Sequence, residues 1–275
     1  MPESIPAAVN KDTVLCISLA ARPSNIGTGF HNYLYAQLGL NYVYKAFAPV
    51  NLVDAVRGIR GLPIRGAAVS MPYKEAVIEL VDRMDPSAEA IASVNTIVND
   101  DGVLTAYNTD YLAIERLLAD HAVPVSLTVL VQGAGGMAKA VVAALRDAGF
   151  GDVTVVARNE VAGKALAAQY GFRWVPAVGE LRAEMIVNVT PLGMQGADAE
   201  VLAFAPEVVA AASVVFDVVA LPAETPLIRA GRSAGKKVIT GAEVIAIQAE
   251  EQFVLYTGVR PTAEQVREAS EYSRS

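Results

Sequence analysis

Apolar residues in this chain follow two different periods that alternate along its length. Short runs of consecutive apolar residues, typical of buried strands, are separated by segments in which apolar residues recur every three or four positions, typical of helices. This alternation predicts an α/β fold with mostly parallel sheets. The strands are predicted at residues 14–19, 42–48, 64–70, 127–131, 153–157, 185–189, 214–218 and 238–239, and the helices at 30–38, 52–59, 74–84, 111–120 and 136–148.

The segment after the third predicted strand is interpreted as a helix that carries a lysine. Pro72 stands where a helix can begin, since proline is tolerated in the first helical turn. Val77 and Leu80 then recur with helical spacing. A helix over residues 74–84 would place Lys74 in its first turn, where the positive end of the helix dipole disfavours an ammonium ion.

Composition and charge narrow the class of protein. The chain has 275 residues, 53% of them hydrophobic and 19% charged, which is enough for a packed core in one large domain or two ordinary ones. The net charge of −7 argues against nucleic acid as a partner. Cys16 is the only cysteine, which excludes an intramolecular disulfide. His31 and His121 have no neighbours at metal-ligand spacing, so no metal site is expected.

Hydrophobic segments of the kind that target or anchor a protein are not expected. Residues 1–11 lack a basic start followed by a long apolar core, so no signal peptide is predicted. The apolar stretches are too short and too interrupted to span a bilayer. A soluble cytoplasmic protein that does not bind a membrane is therefore expected.

A glycine-rich turn follows the predicted strand at 127–131 and opens the predicted helix at 136–148. Its spacing is typical of a dinucleotide-binding turn, in which the first glycine permits the tight turn and the second lets the backbone approach a pyrophosphate. A small third residue allows helix and strand to pack closely, and the helix N-terminus faces the anion. The residues predicted to bind the dinucleotide are Gly133, Ala134, Gly135, Gly136, Met137 and Ala138.

The end of the next predicted strand indicates which dinucleotide is bound. A carboxylate there holds the ribose 2′-hydroxyl of NAD, whereas an arginine accommodates the 2′-phosphate of NADP. Arg158 stands beside this strand end and no carboxylate occupies it, so NADP is favoured. Lys164, a helical turn or so later, could add positive charge, while Glu160 works against it and leaves NAD as an alternative.

Polar clusters that precede the glycine-rich turn provide groups for a small polyhydroxylated partner. They occupy residues 70–74, 93–96 and 107–110. Oxidation of an alcohol needs a group that removes the hydroxyl proton as hydride leaves, and Lys74 is the candidate, with Asp110 as its orienting carboxylate. The Asn95 amide could bind a substrate hydroxyl. The structural alternatives are a solvated helix lysine, a helix-capping aspartate and a turn-forming asparagine.

These residues resemble the motifs of the shikimate dehydrogenase family, in the same order and over nearly the whole chain. That family shows V-T-x-P-x-K, A-V-N-T, N-T-D and G-x-G-G segments, followed by N-x-T-P-x-G-M and, near the end, G-x-x-M-x-x-x-Q-A. The corresponding segments lie at 69–74, 93–96, 108–110, 133–136, 188–194 and 241–249. Six ordered motifs make the resemblance highly specific.

The resemblance implies a domain division and a set of residue roles. It implies an α/β substrate domain at 1–109, completed by helices within 242–275, and a Rossmann-type NADP-binding domain at 110–241. Lys74 and Asp110 would form the catalytic pair of a monomeric or homodimeric enzyme that oxidises a small polyhydroxylated carboxylate. Substrate contacts are implied for Ser70, Asn95, Asp110 and Gln248. Cofactor contacts are implied for residues 133–138, Arg158, Thr190, Met194 and Gly241.

Departures from the family pattern bear on the substrate. Family members that reduce dehydroshikimate carry a serine-x-serine-proline segment before a His-Asn pair, and both serines are replaced here, with Asn25 and Thr28 as stand-ins for binding the substrate carboxylate. The threonine of V-T-x-P becomes Ser70, and a tyrosine usual after the late strand is absent. Losing such hydroxyl groups can weaken a hydrogen-bonding site by orders of magnitude. The departures favour a shikimate dehydrogenase-like subgroup that accepts shikimate poorly or prefers quinate or aminoshikimate.

Two other classes of function are consistent with the fold. A non-catalytic regulator that binds NADP or a metabolite would have no need of the Lys74 and Asp110 pair. The second is a dehydrogenase that acts on a folate or an amino acid. The match of Asn95 and Gln248 to the shikimate dehydrogenase motifs argues against it. Retained ligand binding without turnover would favour the regulator.

Overall fold

The computed structural model describes residues 9–274, and the chain divides into two compact units. The first unit contains the described residues up to Thr109 together with those from Ala246 onward. The second contains Asp110–Ile245. Each unit holds one six-stranded sheet with helices between its strands, which confirms the α/β class.

The first unit is built on a mixed sheet. Its strands follow the order β2-β1-β3-β5-β6-β4, in which β1 is parallel to β2 and β3 while β5 is antiparallel to β3 and β6. The strands predicted at 14–19, 42–48 and 64–70 are confirmed, with small differences at their ends. In chain order the elements are β1 (Val14–Leu19), α1 (Ile26–Gln37), β2 (Tyr42–Phe47), α2 (Leu52–Gly61), β3 (Gly66–Val69), β4 (Arg83–Met84), α3 (Pro86–Glu89), β5 (Thr96–Asp100) and β6 (Val103–Tyr107).

The hairpin of β5 and β6 is not among the elements predicted above. Its two connecting residues, Asp101 and Gly102, have φ angles of 51° and 91°. These left-handed conformations form the two-residue turn that Asp-Gly pairs favour in hairpins. The Asn99 side chain accepts a hydrogen bond from Gly102 N at 2.7 Å and stabilises the turn. The sequence therefore contains a specific hairpin signal at this point.

The helix predicted over residues 74–84 is wrong. The chain forms turns through residue 77, a single 3₁₀ turn at Ile78–Leu80, and then β4, which pairs with β6. Strand pairing prevails because Asp82 N donates to Leu104 O at 2.9 Å and the Asp82 carboxylate accepts from Leu104 N at 2.7 Å. The apolar side chains of the segment pack against the core without helical geometry. A helix dipole therefore does not act on Lys74.

The second unit is built on a fully parallel sheet. Its strand order is β12-β11-β10-β7-β8-β9, and every neighbouring pair is parallel. When β7 is counted as strand 1 and the sheet is read from β9 to β12, this is the 3-2-1-4-5-6 order of dinucleotide-binding folds. Such folds bind their ligand at the carboxyl ends of the strands, where the strand order reverses. The elements are α4 (Thr109–Asp120), β7 (Val129–Gln132), α5 (Gly136–Asp147), β8 (Val153–Val156), α6 (Glu160–Tyr170), β9 (Arg173–Val175), β10 (Met185–Asn188), α7 (Pro206–Ala211), β11 (Val214–Asp217), α8 (Pro226–Ser233) and β12 (Lys237–Thr240).

Two C-terminal helices complete the chain: α9 (Gly241–Thr257) and α10 (Ala263–Tyr272). The start of α9 belongs to the second unit, and the helix continues into the first. Thr240 and Glu243 cap it reciprocally, because Thr240 N donates to Glu243 Oε2 at 2.7 Å and Glu243 N donates to Thr240 Oγ1 at 3.3 Å. The described residues include no helix long and apolar enough to cross a membrane and no cluster of three acidic, histidine or cysteine residues suited to a metal ion.

Candidate functional site

The first glycine of the predicted dinucleotide turn directly follows β7 and cannot be replaced without strain. Gly133 has a φ of 127°, in the region that favours glycine. A Cβ at this position would lie 2.8 Å from Val189 Cγ2 and 3.0 Å from Val189 O, in the segment after β10. The turn and this neighbouring segment therefore pack at the point where the strand order of the second sheet reverses.

The rest of the turn is open to a ligand. A Cβ on Gly135 or Gly136 would meet no atom within 4 Å, so the backbone can be approached closely here. Helix α5 begins at Gly136 without a side-chain cap, whereas α2, α6, α8 and α10 are each capped by an asparagine or threonine. The first amide groups of α5 are thus left to an anion, as at other phosphate-binding helix ends. These features fit a dinucleotide pyrophosphate.

Arg158 lies just beyond the end of β8, where a 2′-substituent of the adenosine ribose is recognised in this fold. The side chain is exposed, and within residues 9–274 it makes no hydrogen bond or ion pair. Glu160 does not oppose it as a free charge, because Lys164 Nζ lies 2.6 Å from Glu160 Oε1 and over the Trp174 ring. Lys164 is therefore engaged within α6 rather than held beside Arg158.

A buried hydrogen-bond network fixes the segment that carries Thr190. Asn188, at the end of β10, accepts from Thr190 N at 3.0 Å and from Thr190 Oγ1 at 2.6 Å. Its Nδ2 donates to Asp217 Oδ1 at 3.0 Å and to Leu192 O at 3.1 Å. Asp217 in turn accepts from Thr225 Oγ1 at 2.6 Å. The roles of Asp217 and Thr225 are not apparent from sequence, because their burial depends on the register of neighbouring strands.

The Asp217 carboxyl gives the second unit a specific pH dependence. Burial raises its pKa above the ordinary value, and the hydrogen bonds from Thr225, Val219 and Asn188 oppose the shift only in part. Because the folded state holds this proton more tightly than the unfolded state, the free energy of unfolding falls as pH rises from 3.8 through the raised folded pKa. Asp217→Asn is therefore expected to remove that fall. Its Oδ1 still accepts from Asn188 Nδ2 and Val219 N, whereas the bond that Oδ2 accepts from Thr225 Oγ1 is lost.

Denaturant unfolding of the full chain at several pH values between about 4 and about 8 measures this effect. Asp198→Asn, at an exposed site in the same unit, is the charge-matched control. A parallel pH dependence for wild type and Asp217→Asn would contradict the interpretation.

Gly241 and Met194 occupy different environments in the second unit. A Cβ on Gly241 would lie 2.4 Å from Val218 O and 2.4 Å from Val219 O, so α9 begins in backbone contact with the segment after β11. Met194 is 46% exposed and follows Gly193, whose φ is 84°. The residues with predicted cofactor roles thus lie in or next to the segments that follow β7, β8, β10 and β12.

In the first unit, backbone hydrogen bonds bring the three polar clusters together. Val94 N donates to Lys74 O at 2.8 Å, which joins the first cluster to the second. Asn95 N donates to Tyr107 O at 3.1 Å, which joins the second to the third. Val69, the residue before Ser70, donates from its backbone N to Asn95 O at 2.7 Å. Segments more than ten residues apart in sequence therefore meet at the ends of β3, β5 and β6.

The Asn95 side chain is buried in this region and accepts several hydrogen bonds. It is 4% exposed, and its Oδ1 accepts from Thr109 N at 2.8 Å, Thr96 Oγ1 at 2.9 Å and Thr109 Oγ1 at 3.2 Å. Because the Thr109 amide can only donate, the atom facing it must be the carbonyl oxygen of Asn95. Among the described residues, Nδ2 of Asn95 has no partner. The amide therefore offers two oriented donors.

Lys74, Ser70 and Asp110 lie at or next to these junctions. Ser70 is exposed at the end of β3, and Lys74 is half-buried in the turn that follows it. Asp110 is half-buried in the first turn of α4, directly after Thr109, whose amide Asn95 holds. Both Lys74 and Asp110 take part in polar interactions.

The two residues that replace the family's serines differ in accessibility. Asn25 is exposed immediately before α1 and makes no side-chain cap on that helix. Thr28 Oγ1 is buried and has no hydrogen-bond partner within residues 9–274. Of the pair, Asn25 therefore presents its polar group to solvent and Thr28 does not.

The glutamines of α9 also differ. Gln248 is half-buried. Gln252, one turn later, is only 6% exposed, and its Nε2 donates to Thr96 Oγ1 at 2.9 Å and to Asn95 O at 3.3 Å. The four-residue spacing places both on one face of the helix, but no feature of the sequence distinguishes the buried amide from the half-buried one.

Comparisons with known proteins agree on one family. The protein-family model that describes the shikimate dehydrogenase substrate-binding domain matches residues 26–97 of this chain. A shikimate dehydrogenase-like protein from Haemophilus influenzae is 52% identical over 268 residues, which cover 97% of this chain and 99% of that protein.

Solved structures give the same result over almost the whole chain. A shikimate 5-dehydrogenase-like protein superposes with a TM-score of 0.96 at 51% identity, covering 98% of this chain and 100% of the other. The Thermus thermophilus shikimate 5-dehydrogenase, in complex with NADP(H) and shikimate, has a TM-score of 0.83 at 30% identity and coverage of 95% and 100%. The Corynebacterium glutamicum quinate dehydrogenase, in complex with NAD, has a TM-score of 0.83 at 27% identity and coverage of 94% and 98%.

Proposed function

Because this chain belongs to the shikimate dehydrogenase family, we propose that it is an NADP-dependent oxidoreductase that interconverts shikimate, or a close relative, and its 3-dehydro form. The observation that carries the proposal is the junction at Asn95, which joins the lysine-bearing turn to the segment entering α4 and presents two oriented donors. A pure binding module would have no need of a lysine and a carboxylate on the segments joined there. The dinucleotide turn of the second unit supports the same reaction class.

In this proposal Lys74 is the proton-transfer group. The turn at Gly133–Met137 and Arg158 would hold NADP⁺, which would supply a hydride acceptor for the carbinol carbon. As the C–H bond breaks, the side-chain nitrogen of Lys74 takes the hydroxyl proton, so the alcohol becomes a ketone and the proton is held on Lys74. The reverse reaction returns that proton to the developing alkoxide. Asp110 stabilises the ammonium and orients it.

Substrate hydroxyl groups would be bound by neutral side chains. Asn95 donates through Nδ2, and Gln248 and Ser70 supply further donors and acceptors. Asp110 accepts from a hydroxyl as well as orienting Lys74. Such a set suits a compact polyol, because each group pairs with one hydroxyl and a substrate lacking that hydroxyl leaves it unpaired.

The carboxylate-binding region supports low efficiency on shikimate itself. Asn25 is exposed, and the Thr28 hydroxyl is buried, so the two serine hydroxyls of the family are replaced by a single accessible amide. Quinate is the second candidate substrate, supported by the structural similarity to a quinate dehydrogenase and by this altered region.

Initial rates of oxidation of shikimate and quinate with NADP⁺ and with NAD⁺, together with the NADP⁺ dissociation constant, test the proposal. Slow NADP-linked oxidation of one of these alcohols is expected. NADP⁺ binding without oxidation of either alcohol would favour a regulator, and turnover of shikimate as fast as in dedicated family members would contradict the altered carboxylate region.

Cofactor preference gives a separate prediction. Arg158→Ala is expected to weaken NADP⁺ binding by about 10- to 100-fold, the range for losing a charge-assisted hydrogen bond to phosphate, and to leave NAD⁺ binding nearly unchanged. Dissociation constants for both cofactors measure the effect. Arg182→Ala, at another exposed site of the second unit, is the control. Equal loss for NADP⁺ and NAD⁺ would show that Arg158 does not recognise the 2′-phosphate.

A further inference from the structure

Gln252 is a buried amide whose role the proposed reaction leaves unassigned. It lies in the first unit, where the last turns of α9 pack against β5. A buried glutamine must satisfy its amide or lose stability, so its partners are informative. Those partners are Thr96 and Asn95, and the Asn95 side chain is the one proposed to bind substrate.

The donor and acceptor roles in this group are determined by backbone atoms. Asn95 O can only accept, so the Gln252 atom 3.3 Å from it is the Nε2 donor. The same Nε2 lies 2.9 Å from Thr96 Oγ1, which therefore accepts from it. Thr96 Oγ1 lies 2.9 Å from Asn95 Oδ1, and Oδ1 is an acceptor because Thr109 N donates to it. The Thr96 hydroxyl proton must then point at Asn95.

This direction matters because a hydroxyl has only one proton. Without a donor at position 252, the Thr96 hydroxyl could turn to another acceptor and the Asn95 amide would lose one of its three restraints. With the donor present, the chain of hydrogen bonds runs from Gln252 through Thr96 to Asn95 Oδ1, which fixes the amide with Nδ2 on the side opposite to these bonds. All three side chains are buried, so water competes little with the chain.

His31 is a second polar neighbour of Gln252. His31 is buried within the aromatic cluster, where its ring stacks on Tyr44 with centroids 4.5 Å apart. Burial lowers the pKa of His31 to about 3, and a hydrogen bond with Gln252 opposes the shift. His31 is therefore a neutral imidazole at ordinary pH, which places no competing charge on the Gln252 amide.

We propose that Gln252 is a positioning residue that holds the Asn95 amide, through Thr96, in the orientation that presents Nδ2 to a substrate hydroxyl. The functional part of this inference rests on the proposed role of Asn95 as a substrate ligand. The positional part, which is that Gln252 orients the Asn95 amide, concerns the protein alone and is tested without substrate.

Side-chain ¹⁵N relaxation of the Asn95 amide in the full-length protein tests the positional part. Gln252→Met and Thr96→Val each break the chain and are expected to lower the heteronuclear NOE of Asn95 Nδ2. Thr96→Ser keeps the hydroxyl and is expected to match wild type. Thr257→Val removes a hydroxyl from α9 that bonds only within the C-terminal segment, so it controls for general loosening. An unchanged Asn95 signal in both broken variants would overturn the proposal.

Steady-state kinetics with shikimate test the functional part. Both broken variants are expected to raise KM for shikimate by about three- to tenfold, the value of one neutral hydrogen bond, with kcat within about twofold of wild type. The double variant is expected to cost no more than either single variant, because both interrupt one chain. Additive losses would overturn the relay through Thr96.

Gln252→Glu distinguishes positioning from simple packing. An ionised carboxylate would accept the Thr96 proton and repel Asn95 O, whereas a protonated carboxyl can donate as the amide does. KM for shikimate in this variant is therefore expected to fall as pH is lowered, with no such trend in Gln252→Met. A flat pH profile for Gln252→Glu would contradict the proposal. If wild type binds neither shikimate nor quinate, the proposed function fails while the relaxation measurement still decides the role of Gln252.

Discussion

Replacing Lys74 by alanine is expected to lower kcat for NADP-linked oxidation by about 10²- to 10⁴-fold, the range attributed to a positioned acid–base group. Lys74 is half-buried in the turn after β3, and its carbonyl is bonded to the Asn95 segment, so Lys74 belongs to the junction at which we propose that it accepts the proton. The dissociation constant for NADP⁺ is expected to stay within about twofold, because the residues proposed to bind the cofactor belong to the second unit.

Lys45→Ala is the matched control for this change. Lys45 is exposed on β2 of the same unit and lies over the Phe47 ring. Its loss is expected to leave kcat unchanged. A Lys74→Ala protein that keeps more than about a tenth of the wild-type kcat would remove Lys74 from the proton-transfer role.

Replacing Gly241 by alanine is expected to destabilise the protein by at least about 3 kcal/mol. The added Cβ would sit 2.4 Å from the carbonyl oxygens of Val218 and Val219, and backbone cannot give way as a flexible side chain can. The start of α9 would have to move and break the capping bonds between Thr240 and Glu243. Denaturant unfolding of the full chain measures the change.

Gly58→Ala is the control for adding a methyl group to a helical glycine. Gly58 lies within α2, and a Cβ there meets nothing within 4 Å. Since alanine has the higher helix propensity, this variant is expected to be as stable as wild type or more stable by about 0.5–1 kcal/mol. Equal stability of Gly241→Ala and Gly58→Ala would mean that the contact at Gly241 is not structurally required.

The parallel strands and the dinucleotide turn could be predicted because their signals are local. The four central strands of the second sheet, β7, β8, β10 and β11, are short apolar runs that are buried, and the turn at Gly133–Gly136 follows from its spacing alone. The edge strand β9 is partly exposed and is not among the predicted strands. The Asp101-Gly102 hairpin is equally local, and its signal lies within the same sequence.

The helix expected at 74–84 shows where local periodicity fails. Val77 is fully buried in a turn that precedes a short strand. The helix-like spacing of apolar residues in this segment therefore reflects their burial and not a helix. The pairing of β4 with β6, including the bonds of Asp82 to Leu104, comes from residues more than 20 positions away. A short stretch of sequence around residues 74–84 therefore cannot show that strand pairing with β6 prevails over a local helix.

Buried polar networks are the second kind of feature that sequence patterns do not reveal. Asn188 and Asp217 become partners only because their strands are adjacent in register. Gln252 meets Thr96 only because α9 returns to the first unit more than 150 residues later. Sequence motifs identified the residues proposed to bind ligand, whereas the residues that hold them in place emerge from the fold.

Transfer of deuterium from the substrate to the cofactor is a direct measurement of the proposed hydride transfer. Shikimate carrying deuterium on carbon 3, the carbon proposed to be oxidised, is incubated with the wild-type protein and NADP⁺, and the isolated NADPH is analysed by mass spectrometry. We expect one deuterium per NADPH, formed in step with 3-dehydroshikimate, and formation of that labelled NADPH at least about 10²-fold more slowly with Lys74→Ala. NADP⁺ that binds but stays unreduced with shikimate and with equally labelled quinate would contradict it.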